Sequence, residues 1–112
     1  MSRSLRLADR EIATELPAFV MGIVNATPDS FWPSSRTQST AAGAESAFAL
    51  VEAGADIIDI GGESTRPGSD YVSEAEELSR VIPLVREIRR ISSVPISIDT
   101  RKSAVMRAAL DE

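Results

Sequence analysis

ADIIDIGGESTRPG, Ala55–Gly68, joins a short apolar, β-branched run to a polar loop rich in turn formers. Ile57, Ile58 and Ile60 put apolar side chains on both faces of an extended segment, the pattern of a strand buried on both sides in a parallel sheet. The run ends in Asp59 and the pair Gly61-Gly62. Working outward, FVMGIVN (Phe19–Asn25) and PISIDT (Pro95–Thr100) repeat the form, and end in Asn25 and in Asp99. Strands are therefore predicted near 19–25, 56–60 and 95–99.

Helical patterns fill the intervals. Near 40–53, Ala44, Ala47, Phe48 and Val51 fall at i, i+3, i+4 and i+7, and Gly54 follows where a C-terminal cap belongs. Near 74–91, Ser73 and Glu76 fit a capping box, and Leu78, Val81, Ile82, Val85 and Ile88 form one apolar face. Pro83 lies inside that pattern and predicts an interruption with a kink. A third helix is predicted near 103–110, and Leu5–Ile12 suggests a strand or hairpin in front of everything else. The order β-α-β-α-β-α implies right-handed crossovers and a parallel sheet, an α/β fold.

Composition narrows the chemistry. With 112 residues and 43% hydrophobic side chains, disorder through low hydrophobicity is excluded. No apolar run approaches the ~20 residues that span a bilayer, so no membrane partner is expected. Cysteine and histidine are both absent, which removes disulfides, thiolate metal sites, Cys nucleophiles and His general bases. The 12 basic residues against 17 acidic ones, a net charge of −5, argue against a nucleic-acid partner, as do aromatics at 4%. The N-terminal MSRSLRLADREIATELP is charged throughout and lacks the apolar centre of a secretory signal, so a cytoplasmic location is expected.

What remains for chemistry is carboxylates, amides, hydroxyls and guanidinium groups. Asn25, Asp59 and Asp99 all end strands, where ligands bind in α/β folds. Each alone could equally start a turn or cap a helix; three in matching places favour use as a site. Alternation puts Asp59 on one face with Ile57, and Asp99 with Ser97, leaving Ile58, Ile60, Ile96 and Ile98 for the helices. GGESTRPG (Gly61–Gly68) gathers Ser64, Thr65 and Arg66 in a loop suited to an anion such as pyrophosphate, although Arg66 could instead pair with Glu63. It lacks the Gly-Lys-Ser/Thr ending of a Walker loop. NATPDSFWPSSR (Asn25–Arg36) carries Phe31 and Trp32 between prolines and serines, which suits either a lid over a flat ligand or local packing.

MGIVNATPDSF (Met21–Phe31), ADIIDIGGESTRPG and SIDT (Ser97–Thr100) closely resemble three successive motifs of the dihydropteroate synthase family. The resemblance extends from Phe19 to the C-terminus and implies a (β/α)8 barrel that joins 6-hydroxymethyl-7,8-dihydropterin pyrophosphate to p-aminobenzoate, giving 7,8-dihydropteroate. It implies that Asn25 helps hold Mg²⁺ with the pyrophosphate, that Thr65 and Arg66 contact substrate and leaving group, and that Asp99 receives the pterin ring. Asp59 matches a further strand-end carboxylate of the pocket. Thr27, Pro28, Asp29, Ser30 and Phe31 match the first mobile loop, and Pro67 lies in the second; both loops form the p-aminobenzoate side. After Phe31 the family usually continues Ser-Asp-Gly-Gly, whereas this chain has Trp32-Pro33-Ser34-Ser35-Arg36, a stiffer sequence for a lid.

A complete barrel takes about 250 residues. The chain is therefore expected to be the N-terminal portion of such a (β/α)8 TIM barrel, about three βα units, with the remaining pocket elsewhere. An unpaired last strand predicts association of the 112-residue chain and no turnover by it alone. For the complete enzyme a homodimer is expected. Two other readings are a non-catalytic half-barrel and a methyltetrahydrofolate-binding methyltransferase domain with the same pterin-binding barrel; Thr27–Phe31 favours the synthase over the latter.

Overall fold

The isoleucines at 57, 58 and 60 place the second apolar run at the centre of a parallel sheet. The computed structural model describes residues 2–7, 10–26, 36–62 and 72–112, with the backbone alone for 36–39. In chain order the elements are β1 (Arg3–Arg6), β2 (Glu11–Thr14), β3 (Met21–Asn25), α1 (Arg36–Glu52), β4 (Ile57–Gly61), α2 (Glu74–Ile91), β5 (Ile96–Asp99) and α3 (Ser103–Leu110). β1 and β2 form an antiparallel hairpin, and β3, β4 and β5 form a separate parallel sheet in that order. Sequence and structure thus agree on three βα units of a (β/α)8 barrel, and the hairpin realises the segment expected around Leu5–Ile12.

One face of the sheet carries the helices. Ile58 and Ile60 are fully buried there, packed with Ala44 and Ala47 of α1, Val81, Leu84, Val85 and Ile88 of α2, and Val105 of α3. Burying each large aliphatic side chain contributes about 1.5–3 kcal/mol. That sum explains why Pro83 does not interrupt α2, which runs unbroken from Glu74 to Ile91. The proline removes one helical hydrogen bond at a cost of about 3 kcal/mol, while Val81, Leu84, Val85 and Ile88 are buried on both sides of it. The buried stripe is also rotated from the expected one: Leu84 is inside, and Leu78 and Ile82 are only partly buried.

Helix ends follow their local chemistry. Ser73 caps α2, its Oγ accepting from the Glu76 amide at 3.2 Å. Past α1, the Ala55 amide reaches back to the Leu50 carbonyl (2.9 Å) and the Gly54 amide to Val51 (3.1 Å), the two bonds of a Schellman ending. Gly54 has φ 116°, the conformation that ending requires. α1 begins at Arg36, earlier than expected, because its first turn holds only polar residues and so leaves no apolar period in the sequence.

Gly54→Ala should lower stability by about 1–2 kcal/mol, since an L side chain is strained at that φ. A β-carbon at 54 meets nothing within 4 Å, so any loss is backbone strain alone. Urea unfolding of the two chains reads it; equal midpoints would mean that the ending tolerates another geometry.

Candidate ligand site at the strand ends

Register decides which side chains meet. Asn25, Gly61 and Asp99 stand side by side at the carboxyl ends of β3, β4 and β5. Two residues deeper, Ile23, Asp59 and Ser97 form the next row on the same face. Asn25 and Asp99 are exposed, and Asp59 is half-buried between their strands. Two strand spacings set Asn25 and Asp99 about 10 Å apart, with Asp59 about 7 Å below that line. This face of the sheet thus carries an amide on one wall (β3), a carboxylate on the other (β5) and a second carboxylate in the floor between them (β4).

Gly61 keeps the rim between the walls free of side chains. Asp99 leans toward it: a β-carbon on Gly61 would lie 3.8 Å from Asp99 Oδ2. The ladder continues one residue beyond β3, the Ala26 amide donating to the Gly61 carbonyl at 2.7 Å. The two polar loops therefore start from neighbouring strands on the same rim. Thr27, Pro28, Asp29, Ser30 and Phe31, together with Thr65, Arg66 and Pro67, lie outside the described residues, as does Trp32. Asn25, Asp59 and Asp99 are brought together as the alternation required.

One acidic residue beside the site was not anticipated from the sequence. Glu77, in the first turn of α2, is buried to 1% exposure. Its Oε1 accepts from Lys102 Nζ at 2.8 Å, and its Oε2 accepts from the Thr100 hydroxyl. The available signal was its place on the stripe Glu77, Val81, Leu84, Ile88, where a charge among apolar residues demands a partner. A cleft of about 600 Å³ lies elsewhere, between the hairpin (Leu5, Leu7, Arg10) and the free side of β5. Neither Asn25, Asp59 nor Asp99 lines it, so it is not this site.

Among the described residues there is no group of three or more Asp, Glu, His or Cys that could hold a metal ion. Asn25 by itself offers one amide oxygen on the open face. Among the described helices none is long and apolar enough to cross a membrane.

Parallel βα units with polar side chains collected at the strand ends define a portion of the barrel class of fold, in which ligands bind at the carboxyl-terminal rim. The chain belongs to the pterin binding enzyme family, whose profile matches residues 21–112. It is 50% identical over 91 residues to dihydropteroate synthase of Bacillus subtilis (81% of this chain, 32% of that protein). Over 115 residues it is 49% identical to the Neisseria meningitidis serogroup C synthase (98% and 39%). Among solved structures, dihydropteroate synthase of Xanthomonas albilineans with 4-aminobenzoic acid superposes with a TM-score of 0.83 at 45% identity, covering 96% of this chain and 40% of that one. The Burkholderia cenocepacia synthase complexed with 7,8-dihydropteroate gives 0.76 at 47%, covering 96% and 34%. The chain thus spans two fifths or less of the length of these relatives.

The two neighbouring glycines should respond differently to alanine. A β-carbon at Gly62 would stand 2.8 Å from Val81 Cγ2 and 3.0 Å from Glu77 Cγ, whereas at Gly61 the nearest atom is at 3.6 Å. Gly62→Ala is expected to cost about 1–3 kcal/mol through overpacking, and Gly61→Ala to stay within about 0.5 kcal/mol. Thermal or urea unfolding distinguishes them; equal losses would contradict the packing around Gly62.

Proposed function

We propose that this chain supplies one side of the active site of a dihydropteroate synthase. The observation that carries the reading is the pairing of Asn25 and Asp99 across Gly61, with Asp59 beneath them. The relatives add support, since one solved neighbour holds 4-aminobenzoic acid and another 7,8-dihydropteroate. The substrates would be 6-hydroxymethyl-7,8-dihydropterin pyrophosphate and p-aminobenzoate. Every one of the relatives described above is a synthase, which favours this reading over a methyltransferase domain.

The reaction suits residues that hold and orient. The bond between the pterin's methylene carbon and the pyrophosphate oxygen breaks, and the pyrophosphate departs with the electron pair. The ring stabilises the cation left behind, and the aniline nitrogen adds to it and gives up a proton to solvent. Asp99, exposed at the rim, can accept two parallel hydrogen bonds from the pterin's ring N–H and amino group. Asp59 in the floor would receive further ring donors, and Thr65 and Arg66 would meet the departing anion. The loop Thr27–Phe31 and Pro67 would close on the p-aminobenzoate side. Such a site lowers the barrier by position and by fixed charge, without a general base of its own.

Mg²⁺ fits this arrangement. The ion takes hard oxygens and is commonly held by one or two protein groups plus substrate phosphates and water, and Asn25 presents one amide oxygen at the rim. Bound there, Mg²⁺ would neutralise charge on the leaving pyrophosphate. A homodimer is our reading for the complete enzyme. A cytoplasmic setting is our reading as well.

The product of the complete reading frame should form dihydropteroate from the two substrates, and a chelator should stop it. Turnover indifferent to chelation would remove the metal; no product would remove the function. Asp99→Asn should weaken pterin binding by roughly 1.5–3 kcal/mol for each charge-assisted bond lost, and more than Asp29→Asn does, as calorimetry would register. The 112-residue chain alone should associate through the free edge of β5 and give no turnover, which light scattering and the same assay would check.

A further inference from the structure

Between the rim and the helix layer lies a small polar cluster that has no place among the substrate contacts above. Glu77 is 1% exposed and its partner Lys102 has an 11% exposed side chain. The Thr100 hydroxyl donates to Glu77 Oε2 and accepts from the Lys102 amide at 3.1 Å. Thr100 follows Asp99 directly, and Lys102 stands at the start of α3, its carbonyl accepting from the Met106 amide at 3.1 Å. The turn that leads out of β5 is thereby fastened to the interior of α2.

The same stretch of α2 grips the end of β4. Arg80 Nη1 donates to the Gly62 carbonyl at 3.0 Å, and Arg80 Nε is 3.3 Å from Glu76 Oε1. Glu77 Cγ and Val81 Cγ2 occupy the space where a side chain on Gly62 would stand. Gly62 is the residue from which the loop bearing Thr65 and Arg66 departs.

We propose that Glu77, with Thr100, Lys102 and Arg80, is a positioning clamp: it holds the strand end carrying Asp99 and the root of the Thr65–Arg66 loop in fixed relation. A charge buried in this way is unfavourable by itself, and an apolar residue of similar volume would serve packing as well or better. What a carboxylate adds is direction. Two oxygens accept from two points of the β5–α3 turn at once, which sets the peptide after Asp99 and so the direction of its side chain. Glu77 touches no substrate in this account and is not a catalytic residue.

The proposal rests on the synthase reading, and the test keeps the two apart. In the product of the complete reading frame, Thr100→Val keeps side-chain shape but loses the bonds to Glu77 and to the Lys102 amide. It should raise KM for the dihydropterin pyrophosphate or lower kcat, reducing kcat/KM by about 10- to 100-fold, the order expected for displacement of a reacting group by up to 1 Å. Thr100→Ser restores the hydroxyl and should restore kcat/KM to near the starting value. The double variant Glu77→Leu with Lys102→Met fills the same space without charge; folded as stably as the parent, it should still lose kcat/KM by a similar factor. Full activity in that stable double variant, or in Thr100→Val, would overturn the clamp and leave the cluster a packing feature. If the parent itself gives no turnover, the synthase reading fails but the clamp is still read by amide exchange at Gly62, Asp99 and Thr100. Faster exchange at these sites in Thr100→Val, at unchanged overall stability, supports it, and unchanged exchange overturns it.

Discussion

The alternation of side chains along β4 is the constraint on which the rest of the molecule depends. Ile58 and Ile60 are fully buried under the helices, and Asp59 between them is therefore on the opposite face. A slip of one residue against β3 or β5 would push the Asp59 carboxylate into the helix layer and turn two isoleucines out of it. The hydrophobic gain that stabilises the sheet is the same term that aligns Asn25, Gly61 and Asp99 in one row. Site and core are two faces of one register.

The absence of histidine and cysteine finds its counterpart in the type of chemistry the rim can support. Carboxylates and an amide at the ends of stiff strands are placed to within the precision of the sheet, while the two polar loops start from Ala26 and Gly62, where backbone and side-chain bonds hold the chain. Helix α2 contributes on both sides of this division. Its apolar residues close the core, and its first turns carry Arg80 to the Gly62 carbonyl and Glu77 to the turn between β5 and α3.

Much of this was legible in the sequence, for identifiable reasons. The three strands and the bounds of α2 and α3 followed from apolar runs and from Ser73, whose cap the structure contains. The facing of Asp59 and Asp99 followed from period-two alternation alone. Local pattern failed where the deciding energy was tertiary. Pro83 reads as a break, yet the helix packs along its whole length and continues through it. The first turn of α1 has no apolar residue to announce it. Glu77 reads as one more acid in an acidic first turn, because its partners Thr100 and Lys102 lie 23 and 25 residues away.

The hairpin of β1 and β2 is hydrogen-bonded to the rest through Arg10, whose Nη1 donates to the Ser93 carbonyl at 2.6 Å across 83 residues of chain. The main packing of the parallel sheet and its helices lies within one βα unit or joins it to the next, so the units can assemble in sequence with short loops to close. The Arg10–Ser93 bond cannot form until the turn ahead of β5 exists. Although the hairpin precedes all three parallel strands in the chain, it is accordingly among the last elements to dock, and its docking reports that β5 has arrived.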